Sequence, residues 1–194
     1  MINAKYLLVL AAASILAACA HPIVISPDPG SLPTSSEKIS KNIGFVITAA
    51  DRGLEVTSPG GGGDNVSYLP YRDLEFAIYS TLSSVFTNAV PLTTTEDKNK
   101  ISSNQLNLIF VPTIKTTSSS ESIFTWPPTF FSIMIDYKIL DPVGALISSG
   151  RAMGEGRAEF SEFKSDFGLS AKRAGTDVFI KLKDKLLSSP ELKN

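Results

Sequence analysis

The chain carries one cysteine and one histidine in 194 residues. Both stand near its start, as Cys19 and His21, so the sequence beyond them has neither a thiol nor an imidazole. A Ser-His-Asp triad, a Cys-His pair and the usual His- or Cys-based zinc site are therefore excluded from that region within one chain. Carboxylates remain for acid-base work. Asp136 and Glu155 fall on neighbouring predicted strands, where two acids at a suitable separation would supply the acid and the base or nucleophile of glycoside hydrolysis. Both alternate with apolar residues, as solvent-facing charges do, and the surface reading outweighs the catalytic one. Asp64, Asp73 and Glu75 offer oxygen ligands for Ca²⁺ but lack the spacing of an EF-hand. No metal and no cofactor is expected.

Two segments carry recognition chemistry instead. Ile123 to Phe131 contains Phe124 and Trp126, the latter the only tryptophan of the chain. At a loop tip these residues would form an apolar patch able to dock on a partner or dip into a lipid interface; folded back, they would cap the core, as large aromatics usually do. The second segment is the glycine run Gly60-Gly61-Gly62-Gly63, followed by Asp64. A phosphate loop needs a Lys and a Ser or Thr leading into a helix, and none follows Gly63, so a flexible turn is expected. Phe124, Trp126, Gly61, Gly62 and Asp64 are the candidate partner-binding residues. Tyr68, Tyr71 and Arg72 form a second candidate surface, or else hairpin packing. With 18 basic against 19 acidic residues the chain has no net basic field, and nucleic acid is not an expected partner.

Residues 1–18 have the layout of a secretory signal: Lys5 and the amino terminus, then an uncharged run from Tyr6 through Ala20 that is shorter than the roughly 20 residues of a spanning helix. Leu16-Ala17-Ala18-Cys19 resembles the lipobox of bacterial lipoproteins, in which cleavage precedes a cysteine that carries acyl chains. The resemblance implies lipid attachment at Cys19, with several chains giving a stable membrane anchor. Ala20 follows Cys19, whereas an Asp there resembles the inner-membrane retention signal of enteric bacteria, so the outer membrane is expected, with the domain facing the periplasm. Residues 19–41, with Pro22, Pro27, Pro29 and Pro33 among serines, read as an extended tether, and 42–194 as one globular domain.

Within that domain, Ile43, Phe45 and Ile47 alternate as a strand, and 54–57 and 66–69 flank the glycine run as a hairpin. Tyr71 through Ala89 recurs at helical spacing behind Pro70. Leu106 to Ile114 reads as a strand whose Pro112 belongs at an edge or bulge. Phe131 to Ile139 and Ala145 to Ala158 form a hairpin around Asp141-Pro142-Val143-Gly144, and the small residues Gly150, Ala152, Gly154, Gly156 and Ala158 make one face of its second strand open to a close neighbour. A helix from about Leu169 to Ser188 closes the chain. The order predicts an α+β fold, a two-layer sandwich with two helices on one face of a mostly antiparallel sheet.

The lipobox, the strand at Ile43, the helix after Pro70 and the Ser149-Gly150-Arg151-Ala152-Met153-Gly154-Glu155-Gly156 strand before a closing helix together resemble small YajG-like periplasmic lipoproteins. The layout is also similar to that of LptE-like and ABC-transport auxiliary lipoproteins. The resemblance implies a role in envelope assembly or transport and brings no catalytic residues. The expected function is that of a non-catalytic outer-membrane lipoprotein binding a protein or envelope component. The alternatives are a small-ligand or lipid carrier with a cavity between sheet and helices, and a carboxylate-based hydrolase of envelope glycans.

Overall fold

The structure, a computed structural model, describes residues 20–163 and 165–193. Its elements in chain order are β1 (Ala20–Pro22), β2 (Ile39–Val46), α1 (Ala49–Gly53), β3 (Val56–Pro59), β4 (Asn65–Tyr68), α2 (Pro70–Val85), β5 (Phe86–Leu92), α3 (Lys98–Ser103), β6 (Leu108–Ser119), β7 (Phe130–Leu140), β8 (Leu146–Arg157), α4 (Phe160–Phe163) and α5 (Leu169–Ser188). The fold is α+β. Strands in the order β5-β2-β6-β7-β8 form the larger sheet, and β1-β4-β3 a smaller one.

Most of the paired residues are antiparallel, as expected, but the sheets are mixed. β2 pairs in parallel with both β5 and β6, and β1 pairs in parallel with β4. Alternation of apolar residues reports which face is buried but not which way a strand runs, and each of these parallel pairs is joined through intervening elements rather than by a tight hairpin. β6, β7 and β8 keep the expected antiparallel register. Pro112 sits where β6 has already passed the end of its pairing with β2, so its missing N–H leaves no gap in the ladder on that side.

α2 starts with Pro70 in its first turn and Asp73 near its positive end, and buries Leu74, Ala77, Ile78, Leu82 and Val85. It ends earlier than its periodicity predicts. Phe86 and Ala89, expected on the helix, lie in edge strand β5, paired with β2 across a register shift; both are buried in the main core, whereas Leu92 at the strand's end joins the cluster on the opposite face. α5 buries Ala171, Ala174, Val178, Leu182 and Leu186 as its stripe predicts. Both helices cover one face of the larger sheet over a core containing Phe45, Phe110, Phe131 and Phe179. On the opposite face α3 covers a smaller cluster of Val46, Leu92, Ile101, Leu106 and Ile109, which the two-helix reading did not include.

The small-residue face of β8 has the expected role. A Cβ on Gly154 would run into the Ala174 carbonyl oxygen, and one on Gly156 into that of Ser170, so α5 rests directly on the strand backbone.

The tether expectation fails for the described residues of 19–41. β1 is hydrogen-bonded to β4, the Ile23 amide donates to the Ser67 carbonyl at 2.9 Å, and Ile23, Ile25, Leu32 and Ile39 are buried. Ser26 bonds to the Asp73 carbonyl of α2, while Pro27 packs on Gly175 of α5. The extended, proline-bearing chain thus lies between the two helices, and its isoleucines and leucine supply the apolar contacts that a solvated stalk lacks. Proline there fixes an extended path without leaving an unsatisfied donor.

Candidate functional site

The segments singled out for recognition meet at one end of the sandwich. Three connections converge there: residues 60–64 between β3 and β4, 120–129 between β6 and β7, and 158–168 between β8 and α5. β1 lies among them.

The glycine run is a tight turn locked to the aromatic loop. Gly62 and Gly63 have φ of 66° and 86°, in the region that favours glycine. The Gly61 amide donates to the Trp126 carbonyl at 2.8 Å, and the Gly62 amide to the Ser122 carbonyl at 3.0 Å. A Cβ on Gly60 or Gly61 would collide with the carbonyl oxygens of Trp126 and Thr125. These glycines therefore permit close approach of two loops, and the amides of Gly61 and Gly62 are already satisfied. On the other loop, the Ser122 hydroxyl accepts from the amides of Phe124 at 3.3 Å and Thr125 at 3.2 Å.

Trp126 is half-buried between two rings. It stacks on His21 with centroids 4.2 Å apart and planes 19° from parallel, and it meets Phe167 at 4.7 Å. His21 Nε2 also lies 3.4 Å from the Asp64 carboxylate. Asp64 and Trp126 thus meet through His21. Phe124 takes the other alternative and points outward, 90% exposed, beside Ile123 at 74%. The 158–168 connection adds Phe160 and Phe167, both exposed, around a groove of about 400 Å³ that Phe124, Trp126 and the buried Phe163 also line. His21, noted above as the single imidazole, and Phe160 and Phe167 were not among the candidate recognition residues. They carry no local signal, because they join the site only through pairings distant in the chain.

The remaining candidates are structural. Tyr68 donates to or accepts from Ser58 and Thr116 in a buried hydroxyl cluster, and the Tyr71 hydroxyl accepts from the Ile114 amide at 3.1 Å. Arg72 reaches its neighbour Asp73, at 3.5 Å.

The carboxylates are not assembled for catalysis. Asp136 lies opposite Arg151 and Glu155 opposite Ser132, so the two acids are separated by four strand positions, about 13 Å. A glycosidase pair stands at roughly 5–9.5 Å. The Arg151 guanidinium, with Lys115 beside it, holds the Asp136 carboxyl below its usual range, which keeps it ionised rather than ready to donate a proton. Glu75 pairs with Arg52 at 2.6 Å, Asp73 accepts from the Ile25 amide, and Asp64 faces His21, so the three acids considered for Ca²⁺ point to different partners. Among the described residues no group of three or more His, Cys, Asp or Glu side chains could hold a metal ion. Between the larger sheet and its helices lie fully buried side chains, including Phe45, Phe86, Phe110 and Phe179. Cys19 lies outside the described residues. Among the described residues, no helix is long and apolar enough to cross a membrane.

No family model matches the chain. No curated protein matches it either. It is similar to the solved structure of a neuraminyllactose-binding hemagglutinin homolog from Helicobacter pylori, at 11% identity over 89% of this chain and 95% of that one, with a TM-score of 0.49. A Xanthomonas campestris protein of the DUF330 family shares 8% identity over 86% of this chain and 94% of its own, with a TM-score of 0.38. The PelC dodecamer of Paraburkholderia phytofirmans shares 10% over 84% and 96%, with a TM-score of 0.39. These likenesses are distant, and the reading of the site rests on the chain's own residues.

Proposed function

We propose that this protein is a non-catalytic lipoprotein, held in the outer membrane by acyl chains on Cys19 and facing the periplasm, whose loop end engages an envelope component. The lipobox-like Leu16 to Cys19 supports the anchor. The observation that carries the assignment of the loop end is the His21–Trp126 stack: it joins the residues immediately after Cys19 to the surface on which Phe124 is exposed. Anchor and recognition loops thus share one end of the domain. The separated, ion-paired carboxylates favour binding over hydrolysis.

Expression of the full-length chain in a Gram-negative host, comparing wild type with Cys19→Ser by intact mass and membrane fractionation, tests this reading. Acyl mass and outer-membrane recovery that both vanish in Cys19→Ser are expected. A wild-type chain that is soluble and unacylated overturns it.

A further inference from the structure

We infer that the envelope component engaged by the loop end is the bilayer surface itself: Phe124, Ile123 and Phe160 insert at the lipid interface while Trp126 seats the anchored first strand against them. This rests on the lipid anchor at Cys19 proposed above and names what that end touches.

The first argument is reach. Ala20 already pairs with Asn65, and His21 is stacked on Trp126. The acylated cysteine directly precedes this fixed strand, one Cα–Cα step of about 3.8 Å away. A flexible stalk would let any face of the domain meet the membrane; this connection allows only the loop end.

The second is composition. Phe124, Ile123, Phe160 and Phe167 are 90%, 74%, 67% and 41% exposed, and they come from two connections that meet at this end. Scattered exposed apolar residues need no explanation, but a cluster of them around a tryptophan, beside an acyl anchor, has the composition of an interfacial contact.

The third is the backbone. Bringing a loop to an apolar boundary is unfavourable when its amides lose water without a partner. Here the amides of Gly61, Gly62, Phe124 and Thr125 are all bonded within the two loops. Glu121, Glu159 and Arg157 line the neighbouring hollow and Glu162 is paired with Arg173, so this rim carries no basic excess and attraction to anionic headgroups does not drive the contact. It should therefore occur on zwitterionic lipid and persist in high salt.

Trp126, as the only tryptophan, reports on this surface directly. The full-length acylated protein, its mass confirmed, would be reconstituted into phosphatidylcholine vesicles with and without bromine on the upper acyl chain. Brominated lipid should quench Trp126 emission by roughly half, at low and at high salt, because interfacial tryptophan lies next to the acyl boundary. Phe124→Ser combined with Phe160→Ser should reduce that quenching, the remainder coming from the anchored strand, and open Trp126 to aqueous iodide. Both side chains are largely exposed, so the variant should keep the wild-type circular dichroism. An acylated protein with Trp126 emission indifferent to brominated lipid overturns the membrane contact and leaves the patch to a protein partner. A chain of unmodified mass overturns the anchor, and the contact with it.

Discussion

His21 lies flat on Trp126, with ring centroids 4.2 Å apart, and through this contact the first strand of the domain is held against the loop between β6 and β7. Neither residue is part of a catalytic arrangement. The stack fixes the position of β1 at the loop end.

Removing one ring should therefore loosen that strand. His21→Ala is expected to lower stability by about 0.5–1.5 kcal/mol, the range for an aromatic pair beyond its area burial. Urea unfolding measures the loss, and limited proteolysis should show new cleavage near β1. Unchanged stability together with an unchanged cleavage pattern would mean that the β1–β4 ladder alone holds the segment.

The contact between α5 and β8 gives a sharper test. A Cβ on Gly156 meets backbone atoms of Ser170 and Ala174, which cannot move without shifting the helix. Gly156→Ala should cost about 1–3 kcal/mol, as overpacking does. At Gly150 the obstacle is the hydroxyl end of the Tyr137 side chain rather than backbone, so Gly150→Ala should be milder. Chemical denaturation of both variants measures the order, and equal losses would contradict direct helix-on-backbone packing.

Much of this was legible beforehand. The small residues spaced two apart from Gly150 to Ala158 implied a close neighbour, and the stripe from Ala171 to Leu186 implied the helix that fills the place. Both are local patterns with a single geometric solution. β5 was hidden because Phe86 and Ala89 continue the helical spacing of α2, and only pairing with β2 decides the matter. The packed course of residues 20–38 was hidden for a related reason: prolines announce extended chain but not what it lies against. For the candidate site, Phe124, Trp126, Gly61, Gly62 and Asp64 were visible as types, while their convergence depended on His21 and on contacts distant in sequence.

Thr81 on α2 is fully buried, and its hydroxyl is the buried side-chain polar atom without a hydrogen-bond partner among the described residues. An unsatisfied buried hydroxyl costs about 1–3 kcal/mol. Thr81→Val keeps the shape and removes the hydroxyl, and it should raise the urea midpoint by the equivalent of about 1 kcal/mol after its small helix-propensity effect. A lowered midpoint would indicate that the hydroxyl is satisfied in solution.

Glu162 and Arg173 tie α4, in the 158–168 connection, to α5 through two hydrogen bonds of 3.1 and 2.8 Å. The Arg173 guanidinium, helped by the Glu159 amide, pulls the Glu162 carboxyl down from 4.5 to about 2. A carboxyl whose folded value is depressed stabilises the fold above its unfolded value and loses that contribution as pH falls through the folded one. The advantage of wild type over Glu162→Gln should thus be complete above about pH 4.5 and disappear as pH falls toward 2. Because the pair is exposed, the advantage should be small and should shrink in high salt at neutral pH. Comparing the two proteins, rather than following wild type alone, cancels the parallel titration of Asp136, whose carboxyl Arg151 also holds low. Urea midpoints of both proteins across this range, at two ionic strengths, provide the measurement. A wild-type advantage that stays constant with pH would show that Glu162 acts through packing rather than through its charge.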